Sequence, residues 1–173
     1  MEVAILGDTH VPSRATRIPD WVAERVRGAD HVIHTGDFDS EGAYERMREL
    51  APALTAVAGN MDPRFSLPDV TTVELGGVAF VVTHGTGSRR TYEQRVVGVV
   101  REHAGDAQSG IRVAREGPTV GVAGHTHAVV DDTVDGVRLL NPGSATGAAP
   151  ADRTTMMTAE VVDGDLSVAL HER

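Results

Sequence analysis

Asp8-Thr9-His10, Gly36-Asp37, Gly59-Asn60, His84-Gly85, His125-Thr126-His127 and Asn141-Pro142-Gly143-Ser144 follow one another as short polar segments, most of them placed where an apolar, β-branched run ends. The first five offer carboxylate, amide or imidazole donors and no thiolate. Such a mixture suits Mn²⁺, Fe²⁺, Zn²⁺, Co²⁺ or Ni²⁺ better than Ca²⁺. Singly, each segment has an ordinary explanation: Gly-Asp and Gly-Asn are turn sequences, and a histidine after a strand is usually capped or solvated. Together, the seven candidate ligands Asp8, His10, Asp37, Asn60, His84, His125 and His127 are hard to produce by turn chemistry and read as one divided site.

The spacing suggests how the donors would converge. Asp8 and His10 are two apart after a strand, as are His125 and His127. In extended backbone, side chains at i and i+2 point the same way, so each pair could reach one ion. Two divalent ions ~3.5–4 Å apart repel each other and need a shared carboxylate and a bridging hydroxide. Asp37 is the candidate bridge, with Asp8, His10 and His127 on one ion and Asn60, His84 and His125 on the other.

The elements that must hold these groups are legible as β-branched runs at Val3 to Leu6, His31 to Thr35, Leu54 to Ala58, Val70 to Leu75, Val78 to Thr83 and Thr119 to Ala123. Further runs follow at Asp131 to Val134, Val137 to Leu140, Thr154 to Val162 and Leu166 to Leu170. Helical periodicity covers Pro19 to Arg27, Glu41 to Leu50 and Thr91 to His103. Gly76-Gly77, Asp135-Gly136 and Asp163-Gly164 separate paired runs, as hairpin turns with positive φ require. The first half therefore alternates strand and helix and the last third is hairpins. This predicts an α/β (α+β) fold of two packed mixed sheets with helices on the outer faces. Gly105 to Gly117 has no clear period and reads as a loop or frayed helix.

At 173 residues, with no internal repeat or linker, the chain is expected to be one domain spanning residues 1–173. It has no cysteine, which removes thiolate catalysis, disulfides and iron–sulfur clusters. All 16 basic residues are arginine. Walker-type phosphate loops, the lysine-dependent kinase site and pyridoxal Schiff bases are excluded with lysine. A formal charge of −9 without long single-sign runs argues against an extended nucleic-acid surface. No apolar stretch approaches membrane-spanning length and the start lacks signal-peptide features, so a cytoplasmic location is expected. Asp-rich, lysine-free composition fits a salty cytoplasm; the competing explanation is a genome that writes arginine for lysine.

Gly7-Asp8-Thr9-His10, Gly36-Asp37, Gly59-Asn60-Met61-Asp62, His84-Gly85, Gly124-His125-Thr126-His127 and Asn141-Pro142-Gly143-Ser144 together resemble the calcineurin-like metallophosphoesterases, in particular their small prokaryotic, YfcE-like phosphodiesterase branch. The resemblance implies a four-layer α/β/β/α sandwich with a dinuclear site at the strand ends, the ligand assignment above, and manganese or nickel as the usual ions. It implies hydrolysis of a small phosphate ester, a phosphodiester before a monoester, and a homodimer or tetramer. The expected chemistry is in-line attack by a metal-bridging hydroxide, with no covalent enzyme intermediate. Asn60, through its amide oxygen, and Asp62, by orienting the Asn60 turn or a ligand histidine, complete the candidate catalytic set.

Many relatives carry a histidine after the metal-binding asparagine, where this chain has Met61, and a thioether cannot donate a proton. Asn141 to Ser144 is expected to shape the loop beneath the site. His34 is expected in the core, and His31, His103, His171, Arg89, Arg90 and Arg153 at the surface. Two rivals stand beside the phosphoesterase: a binding scaffold of the same fold with degenerate ligand positions, and a metallo-β-lactamase-like hydrolase. The first is disfavoured because every ligand position keeps a competent residue. The second lacks its His-x-His-x-Asp-His run, since Ala128 and Val129 follow His127.

Overall fold

The computed structural model describes residues 1–63, 66–104 and 117–173. Strict side-chain alternation builds its layers. In β1 (Glu2–Leu6), Val3 and Ile5 enter one buried cluster while Ala4 and Leu6 enter another, so this strand is covered on both faces. Beside it, β2 (His31–His34) and β3 (Leu54–Ala56) run parallel. On its other edge lies β9 (Thr155–Val162), antiparallel, followed outward by β10 (Asp165–Glu172). The order of this first sheet is β10-β9-β1-β2-β3.

The second sheet contains β4 (Val70–Leu75), β5 (Val78–Thr83), β6 (Thr119–Val122), β7 (Val129–Val134) and β8 (Val137–Pro142), in the order β4-β5-β6-β8-β7. Pairs β5/β6 and β6/β8 are parallel, while β4/β5 and β7/β8 are antiparallel hairpins. Both sheets are mixed. Val3, Ile5 and Ile33 of the first sheet meet Phe80, Val82, Val122 and Leu140 of the second in the central core.

Helices α1 (Asp20–Gly28) and α2 (Glu41–Leu50) lay Val22, Val26 and Met47 on the outer face of the first sheet. The third helix, α3 (Tyr92–His103), lays Val96, Val97 and Val100 on the outer face of the second. The layers are therefore α/β/β/α, as expected. Ser40 starts α2 by accepting the Ala43 N–H, and Pro19 precedes the first turn of α1.

The three expected hairpin turns have positive φ at both central residues: Gly76 and Gly77, Asp135 and Gly136, Asp163 and Gly164. Element ends differ by one or two residues from the periodicity reading. The two-residue shifts are β3, which ends at Ala56, β7 and β8, which start at Val129 and end at Pro142 because those two residues pair, and β10, which runs on to Glu172 against Thr155. Most of the segment read as loop or frayed helix, residues 105–116, lies outside the described residues.

Candidate metal centre

Both sheets send their parallel strands to one end of the sandwich, and the polar segments leave the sheets there. The first sheet delivers Asp8 and His10 after β1, Asp37 after β2 and Asn60 after β3. The second delivers His84 after β5, then His125 and His127 after β6. The convergence does not use extended backbone. Asp8 and His10 have φ of 49° and 48°, and His125 and His127 have 71° and 59°. Each pair is left-handed, so the pleat argument is replaced by two tight reversals that fold both side chains back over the strand end. This conformation is uncommon outside glycine, though Asn, Asp and His adopt it more than other residues, and such backbone concentrates at functional sites. Close packing of these loops demands glycine: a Cβ on Gly124 would lie 2.6 Å from Asp8 Oδ2, and one on Gly36 would lie 2.6 Å from the Gly59 nitrogen.

The donor atoms form a continuous chain. Asp8 Oδ1 is 3.3 Å from His127 Nε2, which is 3.1 Å from His10 Nε2. Asp37 Oδ2 follows, 3.5 Å from His10 Nε2 and 3.4 Å from His84 Nε2. Asn60 Oδ1 ends it, 3.1 Å from His84 Nε2 and 2.8 Å from His125 Nδ1. All seven sequence-derived positions are brought together, with Asp37 in the middle. Within this set, donor atoms of Asp8, His10, Asp37 and His127 all lie within 4.8 Å of one another and are buried.

The imidazoles show what the cluster lacks. His10 Nδ1 donates to Asp39 Oδ1 (2.9 Å), His84 Nδ1 to the Thr35 carbonyl (2.7 Å), His127 Nδ1 to the Ala148 carbonyl (2.8 Å) and His125 Nε2 to the Gly87 carbonyl (2.9 Å). Carbonyls and carboxylates only accept, so the neutral rings of His10, His84 and His127 turn their remaining lone pair inward, whereas His125 Nε2 also receives the Gly87 N–H at 3.3 Å. His10 and His127 then face each other lone pair to lone pair, and His84 faces the Asn60 oxygen. No neutral hydrogen bond satisfies these contacts, whereas a cation among them does. The residues present fit divalent metal ions.

The electrostatics agree. Burial acts to keep His84 neutral, yet its bond to Asp37 and the nearby Asp8 charge together raise its pKa above the ordinary value. His127 behaves alike: burial opposes charge, but Asp8 prevails and the pKa rises. Burial would raise the Asp37 carboxyl, but His84, the Met61 N–H and His10 hold it below the usual range. The centre thus favours positive charge among its carboxylates.

Residues 1–164 match the calcineurin-like phosphoesterase superfamily domain. The chain belongs to this superfamily. A probable metallophosphoesterase of Methanothermobacter thermautotrophicus is 29% identical over 168 residues, covering 95% of this chain and 88% of the relative. Vacuolar protein sorting-associated protein 29 of Schizosaccharomyces pombe is 28% identical over 151 residues, covering 86% and 74%. The zinc-complexed Vps29 crystal structure from Entamoeba histolytica superposes with a TM-score of 0.75 and 26% identity, covering 100% of this chain and 98% of that one.

Around the cluster, this calcineurin-like domain uses its other polar residues as braces. Asp62 points both oxygens at main chain: Oδ2 accepts from Asp37 N (2.9 Å) and Gly59 N (2.8 Å), Oδ1 from Phe38 N (2.6 Å) and Asp39 N (2.9 Å). It ties the Asn60 turn to the Asp37 loop and touches no histidine of the cluster. Asn141 reaches the Gly124 carbonyl (3.0 Å) and Thr126 Oγ1 (3.0 Å), and Ser144 donates to the Asp8 carbonyl (2.7 Å), so the Asn-Pro-Gly-Ser segment supports both left-handed loops.

His34 is buried and stacks on Phe38 at 3.7 Å between ring centres. Burial, with His84 beside it, pushes its pKa down to about 3. His31, His103 and His171 are half-buried rather than simply exposed: His31 bonds Thr55 Oγ1, His103 the Val99 carbonyl, and His171 both Arg25 and Thr158. Arg89, Arg90 and Arg153 lie at the surface, and the Met61 side chain is 46% exposed beside Asn60. The sequence reading missed Asp39, the partner of His10. Its signal was present as Asp37-Phe38-Asp39, a third pair with the same i, i+2 spacing.

Proposed function

We propose that the protein is a metal-dependent phosphodiesterase that binds two divalent cations, Mn²⁺ best, with Ni²⁺, Fe²⁺, Zn²⁺ or Co²⁺ as alternatives. One observation carries this reading: Asp37 Oδ2 stands 3.5 Å from His10 and 3.4 Å from His84, between two groups of inward-facing donors. Asp8, His10 and His127 would hold one ion, Asn60, His84 and His125 the other, and Asp37 both. When bound, such a pair supplies Lewis acidity toward the phosphoryl oxygens and an acidified water. The chain does the rest by position. Asp39, Thr35, Ala148 and Gly87 fix the rings, Asp62 holds the Asp37 loop, and Asn60 sits at the exposed rim where a phosphate ester would enter.

Room for an organic substituent supports an ester substrate. Beside Asn60 and His84 lies a cavity of about 390 Å³ walled by Val70, Val96, Val99 and Arg95. The preference for diesters rests on the resemblance to the small phosphodiesterase branch.

The similarity to vacuolar protein sorting-associated proteins favours one second reading, a metal-binding scaffold of the same fold with little turnover. Metal content measured together with hydrolysis of a bis-aryl phosphate separates the two. The phosphodiesterase reading expects about two equivalents of bound metal and turnover that falls by about three orders of magnitude in Asp37→Asn, since several kcal/mol of charge stabilisation is lost. Bound metal with no hydrolysis selects the scaffold.

A further inference from the structure

Asp39 stands two residues beyond Asp37 with φ of 71°, and Asp37 itself has φ of 60°. The pairs Asp8/His10, Asp37/Asp39 and His125/His127 therefore share one backbone device, a left-handed residue, a spacer and a second left-handed residue. Five of these six side chains point donors into the cluster. The sixth does not enter it: Asp39 Oδ1 accepts the His10 Nδ1 proton at 2.9 Å, and Oδ2 accepts the hydroxyl of Ser13. Its carboxylate is only 4% exposed, and its own N–H is held by Asp62 at 2.9 Å.

We propose that Asp39 is a positioning residue for the metal centre. It fixes His10 in the tautomer that turns Nε2 inward and, as a buried carboxylate, makes that nitrogen a stronger donor to a cation. Ser13 holds the carboxylate in register. The inference rests on the reading of His10 as a metal ligand. The physical basis is general: a carboxylate behind a ligating histidine sets ring orientation and ligand basicity, and its loss typically lowers metal affinity ~10–100-fold. The left-handed backbone admits Gly and Asn as readily as Asp, so φ alone does not call for a carboxylate here; the two hydrogen bonds to His10 and Ser13 do.

That conformation makes the test discriminating. Asp39→Gly relieves φ and deletes the carboxylate, while Asp39→Asn keeps an acceptor for Nδ1–H, tolerates the left-handed conformation and removes the charge. Mn²⁺ affinity by calorimetry, the melting temperature of the metal-free protein and the His10 tautomer by ¹⁵N NMR are measured for the parent and both variants. Expected results are an unchanged or higher metal-free melting temperature in Asp39→Gly with Mn²⁺ affinity down ~10–100-fold, a smaller loss in Asp39→Asn, and loss of the uniform Nδ1–H tautomer in Asp39→Gly only. A parent that binds Mn²⁺ beside an Asp39→Gly variant of equal affinity overturns this proposal alone. A parent that binds no Mn²⁺ overturns both it and the reading beneath it.

Discussion

His10 and His127 bring their Nε2 atoms to 3.1 Å, although each ring has committed its Nδ1 proton elsewhere, to Asp39 and to the Ala148 carbonyl. In the neutral protein this contact is repulsive, and a bound cation converts it into shared coordination. Divalent metal should therefore stabilise the fold itself. At Mn²⁺ about 100-fold above Kd, binding to the folded state contributes ~2.7 kcal/mol, or about 5–10 °C in melting temperature for a chain of this size. Calorimetric scans with Mn²⁺ and with a chelator check this; coincident transitions would count against the metal centre.

Met61 sets the leaving-group preference. Its thioether stands at the exposed rim beside Asn60, and it cannot protonate a departing alkoxide. General acid assistance is commonly worth ~10²–10⁴ in rate. Aryl phosphodiesters should therefore turn over faster than alkyl ones by a margin of that order, and Met61→His should narrow the gap by speeding the alkyl substrate. Comparable parent rates on both classes would refute the argument.

His34 makes the metal-free fold acid-sensitive. Its pKa is about 3 in the folded chain against an ordinary 6.5, so below pH ~6.5 the unfolded chain takes up a proton that the folded chain refuses. Stability is lost as pH falls from about 6.5 toward 3, with a slope of at most ~1.4 kcal/mol per pH unit from this group. His84 and His127 act in the opposite sense: their raised pKa values give stabilisation that is complete below about 6.5 and fades as pH rises through the folded values. The difference between parent and His34→Asn isolates the first effect, because Asn keeps an acceptor for the Gly36 N–H that His34 Nδ1 receives at 3.1 Å. Denaturant midpoints of the two proteins should converge as pH falls below 6.5; a constant gap would contradict the assignment.

Salt should matter too. A net charge of −9 makes self-repulsion substantial in dilute buffer, and screening reaches only ~3 Å at 1 M salt against ~30 Å at 0.01 M. If the composition is an adaptation to salt, the urea midpoint rises steeply between those conditions. A flat response assigns the missing lysines to genome composition instead.

The layers and the donors were legible in the sequence for different reasons. β-branched runs and hairpin turns such as Asp135-Gly136 fix strand type locally, and their alternation with three amphipathic helices leaves few ways to bury every face. The donors were legible because side-chain type is written in the sequence. What pins them was not: the Thr35 and Ala148 carbonyls that choose the tautomers of His84 and His127 are main-chain atoms, identical in every residue. The i, i+2 spacing of Asp8 and His10 was correctly noticed and wrongly explained, since strand geometry and a left-handed reversal both place such residues together. The spacing of Asp37 and Asp39 repeats that of the other pairs, but the role of Asp39 is set by His10, 29 residues away, and nothing local links the two.

Asp8, His10, Asp37 and Asn60 hang from one sheet and His84, His125 and His127 from the other. A cation gripped by both sets rivets the two halves of the sandwich at one end. Stripping it would then loosen the seam between the sheets before it frayed any single strand, and amide exchange should quicken first in the loops after β1, β2, β5 and β6.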